Sequence, residues 1–144
     1  MGLNTASEVI SLSRQLEEAG ARFYEELARR YPAHGEDFLS LARENKKNIV
    51  QIERAYYGVI TDALEGGFAF NISQDEYALP TELAPETSSE EALARAIEME
   101  EKMRRFYAEA AEQSRSLMAD VPRVFAQIAR KRDGRLSTLK ALLA

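Results

Sequence analysis

The chain has 144 residues, the size of one domain, with 45% hydrophobic residues, 30% charged residues and a net charge of −5. It has no cysteine and a single histidine, His34, which excludes disulfides, iron–sulfur clusters, thiolate zinc sites, a cysteine nucleophile and any mechanism needing two histidines. The acid excess argues against broad nucleic-acid binding. No run reaches the roughly 18 apolar residues of a membrane span, and no basic-plus-apolar leader opens the chain, so one cytoplasmic domain over residues 1–144 is expected.

Helical periodicity dominates. At about 100° per residue, Val9, Leu12, Leu16, Gly20, Phe23 and Leu27 form one apolar stripe. Thr5 with Glu8 reads as a capping box and Pro32 as a stop, giving a first helix over residues 5–31. The second carries Phe38, Leu41, Ala42, Ile49, Ile52, Tyr56, Val59, Ile60 and Ala63 and stops at Gly66-Gly67. Residues 67–87 hold Pro80 and Pro85 and no convincing period, and between Ala55 and Ala94 there are eight acids and no Lys or Arg. The third helix starts near Ser88, boxed with Glu91, and carries Leu93, Ala96, Met99, Met103, Phe106 and Ala110. The fourth follows Asp120, with Pro122 in its first turn, and carries Val124, Phe125, Ile128, Leu136, Leu139 and Leu143.

A second helix of about 30 residues is roughly 45 Å long. A connector of ~21 residues spans up to about 70 Å, so it can run the length of a bundle, while the other two turns are short. Short, long, short is the pattern of an all-α four-helix bundle made of two hairpins joined by one crossover. An internal repeat agrees. Gln15-Leu16-Glu17-Glu18 and Arg22-Phe23-Tyr24 match Glu98-Met99-Glu100-Glu101 and Arg105-Phe106-Tyr107, 83 residues further on. Phe38-Leu39-Ser40-Leu41-Ala42-Arg43 matches Phe125-Ala126-Gln127-Ile128-Ala129-Arg130, 87 further on. The chain reads as two hairpins related by duplication.

Six polar residues fall where a core is expected. Asn45 lies at the centre of the second stripe and Asn48 about 60° away. Arg132 and Arg135 straddle the centre of the fourth. Glu100 lies within about 40° of the third centre and Glu17 about 80° from the first. All six fall at similar depth from the hairpin turns, so they are expected to meet in one layer. A buried charge must be paired. Two carboxylates and two guanidiniums balance, most simply with Glu100 engaging Arg132 and Arg135, and Glu17 engaging Asn45 and Asn48. Glu44, about 100° off the stripe centre, is expected to stay outside the layer.

The paired hairpins, the Glu-Met-Glu and Phe-Tyr-x-Glu phrases and the crossover resemble the ferritin-like superfamily, and in particular its rubrerythrin-type domain, from about Ser7 to Leu143. The resemblance implies a ferritin-like bundle with a di-iron site held by one Glu on the first and third helices and a Glu-x-x-His on the second and fourth. Position by position, the two single glutamates match Glu17 and Glu100. The Glu-x-x-His pairs fall on Asn45 and Asn48, and on Arg132 and Arg135. Both motifs are lost, and so is the rubredoxin-like cysteine module. A di-iron site in this fold needs about four carboxylates and two imidazoles, so no metal or other cofactor is expected. The expected role is non-catalytic: structural, or interaction with an unidentified protein partner. The alternatives are a divergent metal-dependent oxidoreductase or iron-handling protein using Glu17 and Glu100, and a small anion-binding module at Arg132 and Arg135.

Tyr24 and Tyr107, repeat-equivalent, are expected to pack in the core with their hydroxyls bonded inward, and His34 to be a solvated loop or capping residue in the first turn. A second apolar set on the second helix, Leu39, Val50, Tyr57 and Leu64, needs a cover, either the crossover or a second subunit. A homodimer is expected, with neither nucleic acid nor membrane as partner.

Overall fold

The computed structural model describes residues 2–3, 5–59, 70–115 and 121–143. Helix α1 spans Ala6–Arg30. Its start is the predicted capping box: the Thr5 hydroxyl accepts from the Glu8 N–H at 3.1 Å, and the Glu8 carboxylate accepts from the Thr5 N–H at 3.1 Å. A 3-10 turn, Pro32–His34, leads into α2, Gly35–Val59. His34 lies half-buried there, edge-on to Phe38 at 6.4 Å. Helix α3 spans Ser89–Ser114, with the Ser88 hydroxyl accepting from the Glu91 N–H, and α4 spans Val121–Leu143. The predicted end of the second helix (Ile60, Ala63, Gly66-Gly67), Phe68 of the crossover and the cap Asp120 lie outside the described residues.

Among the described residues, the four helices form two tightly packed hairpins, α1 with α2 and α3 with α4. A sparser contact between α2 and α4 joins them, and a slighter one joins α1 and α3. The predicted stripes face inward: Val9, Leu16, Phe23 and Leu27 meet Phe38 and Ile52 from one hairpin and Met99, Met103, Phe106, Phe125 and Ile128 from the other. Leu143 departs from its stripe and is exposed, one turn past the last core residue of α4, Leu139.

The crossover runs over the gap between α1 and α3. Phe70, Ile72 and Tyr77 are buried, and the Tyr77 ring meets Phe106 edge-on at 5.3 Å. This acidic stretch brings no cations of its own, and those of the neighbouring helices hold its backbone. Arg30 donates to the carbonyls of Leu83 and Ala84, Lys102 to that of Ala78 and Arg95 to that of Glu82. Ile72–Ser73 also forms a short strand, β2, antiparallel to β1 at Gly2–Leu3, an element with no periodic signature at two residues. The crossover's described part lies against α1 and α3, and the second apolar set of α2 is seen only in part. Leu39 is half-buried and Val50 is 47% exposed, while the side chain of Tyr57 and all of Leu64 lie outside the described residues.

Two glycines in helix interiors separate two physical situations. A Cβ at Gly20 would stand 2.6 Å from Asn45 Nδ2, whereas one at Gly134 meets nothing within 4 Å. Alanine favours a helix over glycine by about 0.5–1 kcal/mol. Gly134→Ala is therefore expected to raise stability by up to that amount. Gly20→Ala is expected to lower it by about 1–3 kcal/mol through overpacking. Urea unfolding of both variants checks this, and equal effects would contradict the packing described.

Candidate functional site

The six predicted residues do meet in one layer at the bundle centre. Glu17, Asn45, Asn48, Glu100 and Arg132 are 0% exposed and Arg135 3%. Glu17, placed by its angle at the edge of the α1 stripe, stands at the α1–α2 seam, and its side chain is long enough to reach inward.

The connections are richer than the simplest pairing. Arg135 sets its fork on Glu100, Nε to Oε1 at 3.1 Å and Nη2 to Oε2 at 2.9 Å. Arg132 does not serve Glu100 alone: its Nη2 lies 2.5 Å from Glu17 Oε2, and its Nε 3.2 Å from Glu100 Oε1, so one guanidinium spans both carboxylates. Asn45 donates to Glu17 Oε1 at 2.9 Å and accepts from Arg135 Nη2 at 2.7 Å, linking the two halves. Asn48 donates to the same Glu17 oxygen at 3.4 Å.

The two tyrosines complete the layer, with their hydroxyls inward. Each bonds the carboxylate of the opposite hairpin: Tyr24 donates to Glu100 Oε2 at 2.6 Å, and Tyr107 donates to Glu17 Oε2. Each ring also carries a guanidinium over its face, Arg132 over Tyr107 at 5.5 Å and Arg135 over Tyr24 at 5.4 Å. Residues that correspond in the sequence repeat thus hold corresponding places: Glu17 with Glu100, Tyr24 with Tyr107, Asn45 with Arg132 and Asn48 with Arg135. Gly20 and Met103 correspond as well. Gly20 makes room for Asn45, and the Met103 sulfur lies 3.6 Å from Arg132 Nη2.

One further residue, expected to stay outside the layer, reaches it from the edge. Glu44 lies 3.3 Å from Arg135 Nη1 with 39% of its side chain exposed, and the Leu41 carbonyl accepts from the same nitrogen at 3.2 Å. The angle of Glu44 does point away from the stripe, but Arg135 reaches outward to it. A groove of about 430 Å³ between α2 and α4, lined by Asp37, Ser40, Glu44, Lys131, Gly134 and Thr138, touches Arg135 as its only contact with the six-residue layer.

The electrostatics follow from burial set against pairing. Burial alone would push Glu100 up, but Arg132 and Arg135, with hydrogen bonds from Arg135 and Tyr24, hold it below the usual carboxylate value. Burial opposes the charge on Arg132 and Arg135, and the facing carboxylates more than restore it, raising both. Burial, then the adjacent Glu100 and Glu17, raise Tyr24 and Tyr107 well above the usual phenol value. Glu100, Arg132 and Arg135 are therefore held charged and both phenols neutral across the physiological range, a poor arrangement for proton transfer near pH 7.

No group of three or more His, Cys, Asp or Glu that could hold a metal ion occurs among the described residues, and no helix among them is long and apolar enough to cross a membrane. No family model matches the chain, and no curated protein or solved structure matches it.

The pH dependence of stability follows. A carboxylate held below its unfolded value of about 4.3 contributes stability above that pH and loses it as pH falls. A phenol held above about 10 contributes below that pH and loses it as pH rises. The melting temperature is expected to stay level between about pH 5 and 9 and to fall below about pH 4 and above about pH 10. Replacing Tyr24 and Tyr107 together by Phe is expected to shrink the alkaline fall. Calorimetry across pH checks both limbs, and an unchanged alkaline limb in the double variant would contradict the assignment.

Proposed function

We propose that this chain is a ferritin-like bundle of the rubrerythrin type whose di-iron layer has become a metal-free charge network, and that its role is structural or in protein interaction rather than catalytic. The observation that carries the reading is the position of Arg132, whose guanidinium touches both Glu17 and Glu100. In a di-iron bundle the glutamates from the first and third helices bind cations between them. Here a covalently attached cation stands between those glutamates, so their charge is already compensated. A metal ion entering would meet two guanidiniums, and the amides of Asn45 and Asn48 are weak ligands beside carboxylate and imidazole. The repeat-equivalent contacts of the two tyrosines support an origin by duplication of one hairpin.

An interaction role draws on Val50, exposed on the face of α2 that also carries Leu39 about three turns away, and a homodimer is proposed as its simplest form. Light scattering is expected to give twice the 16.2 kDa of one chain.

Protein produced in iron-supplemented medium and analysed for metals is expected to carry far less than one iron per chain. Two irons per chain would overturn the reading in favour of a divergent iron protein.

A further inference from the structure

Two fully buried side chains in the layer keep unused hydrogen-bonding capacity. Among the described residues, Asn48 Oδ1, Arg132 Nε and Arg132 Nη1 have no hydrogen-bond partner; Nε still faces Glu100 Oε1 at 3.2 Å as an ion pair, which leaves Asn48 Oδ1 and Arg132 Nη1. The first is an acceptor on α2 and the second a donor on α4, helices that pack against each other. Both side chains are anchored to one group: Asn48 Nδ2 to Glu17 Oε1 and Arg132 Nη2 to Glu17 Oε2. Both unused atoms therefore belong to side chains tethered to a single carboxylate. A buried polar atom without a partner is costly, and native interiors resolve such atoms with a bound water or ion.

We propose that the layer has a binding site for one neutral, water-sized molecule, an internal water that accepts from Arg132 Nη1 and donates to Asn48 Oδ1. This rests on the reading of the layer as a structural charge network and identifies what completes it. Charge decides against an anion. Glu17, Glu100 and Glu44 already face Arg132 and Arg135, three carboxylates to two guanidiniums, so a further negative charge would enter a buried site with no cation left for it. An anion would also repel the Asn48 carbonyl oxygen, which needs a donor. A metal cation would suit that oxygen and be repelled by Arg132. Water alone among the common candidates donates to one atom and accepts from the other without adding charge.

The test is a high-resolution crystal structure of the full chain, with a second crystal soaked in bromide, and a measurement of water contacts to the Arg132 guanidinium protons by nuclear magnetic resonance in solution. The proposal expects one water peak within hydrogen-bond distance of both atoms, no anomalous bromide peak there, and a cross-peak between those protons and water. In crystals of Asn48→Leu the water peak is expected to be gone. A direct bond between Asn48 and Arg132, an empty site, a water touching only one of them, or bromide at the site would overturn it. None of these outcomes bears on whether iron is bound, so this inference and the metal-free reading fail separately.

Discussion

Glu17 and Glu100 are carboxylates that no solvent reaches, and the rest of the bundle is arranged around the need to compensate them. An ion of this size moved from water into a protein interior loses several kcal/mol even after relaxation, and recovers it only through well-placed opposite charge and hydrogen bonds. Both conditions are met from fixed positions on four helices. Arg135 binds one carboxylate through its fork, Arg132 spans the two, and tyrosine hydroxyls and asparagine amides take up remaining lone pairs.

The layer is also where the hairpins hold each other. Direct packing between them is sparse, heaviest between α2 and α4 and slight between α1 and α3. Strong polar contacts, by contrast, do cross from one hairpin to the other: Glu17 to Arg132 and Tyr107, Glu100 to Tyr24, Arg135 to Asn45. A polar set with one satisfactory arrangement specifies a register that interchangeable apolar contacts do not. Gly20 is part of that specification, since Asn45 occupies the space that any larger residue there would take.

The helices, the hairpin pairing and the six layer positions were legible in the sequence because each rests on period and depth. An apolar stripe broken by Asn, Glu or Arg at one level announces a polar layer wherever the stripe is buried. Which partner each long side chain chooses was not legible. Arg132 and Glu17 can each reach several atoms within a few ångströms, and helical angles do not rank them. The contact of Glu44 was hidden for a related reason: its angle does point out of the stripe, and only the reach of Arg135 past the edge of the core brings the two together. The β1–β2 pair is too short to leave a pattern, and the cover of the crossover over α1 and α3 depends on backbone carbonyls that side-chain periodicity does not report.

The claim that Arg132 is the counter-charge of Glu17 is tested most directly by a double-mutant cycle with Glu17→Gln and Arg132→Met, measured by chemical unfolding. Breaking a buried pair from one side typically costs about 3–5 kcal/mol, while replacing both partners is often close to neutral. Each single variant is therefore predicted to lose stability on that scale. The double variant is predicted to lose less than the two singles combined, by about 2 kcal/mol or more. Losses that simply add would contradict the account.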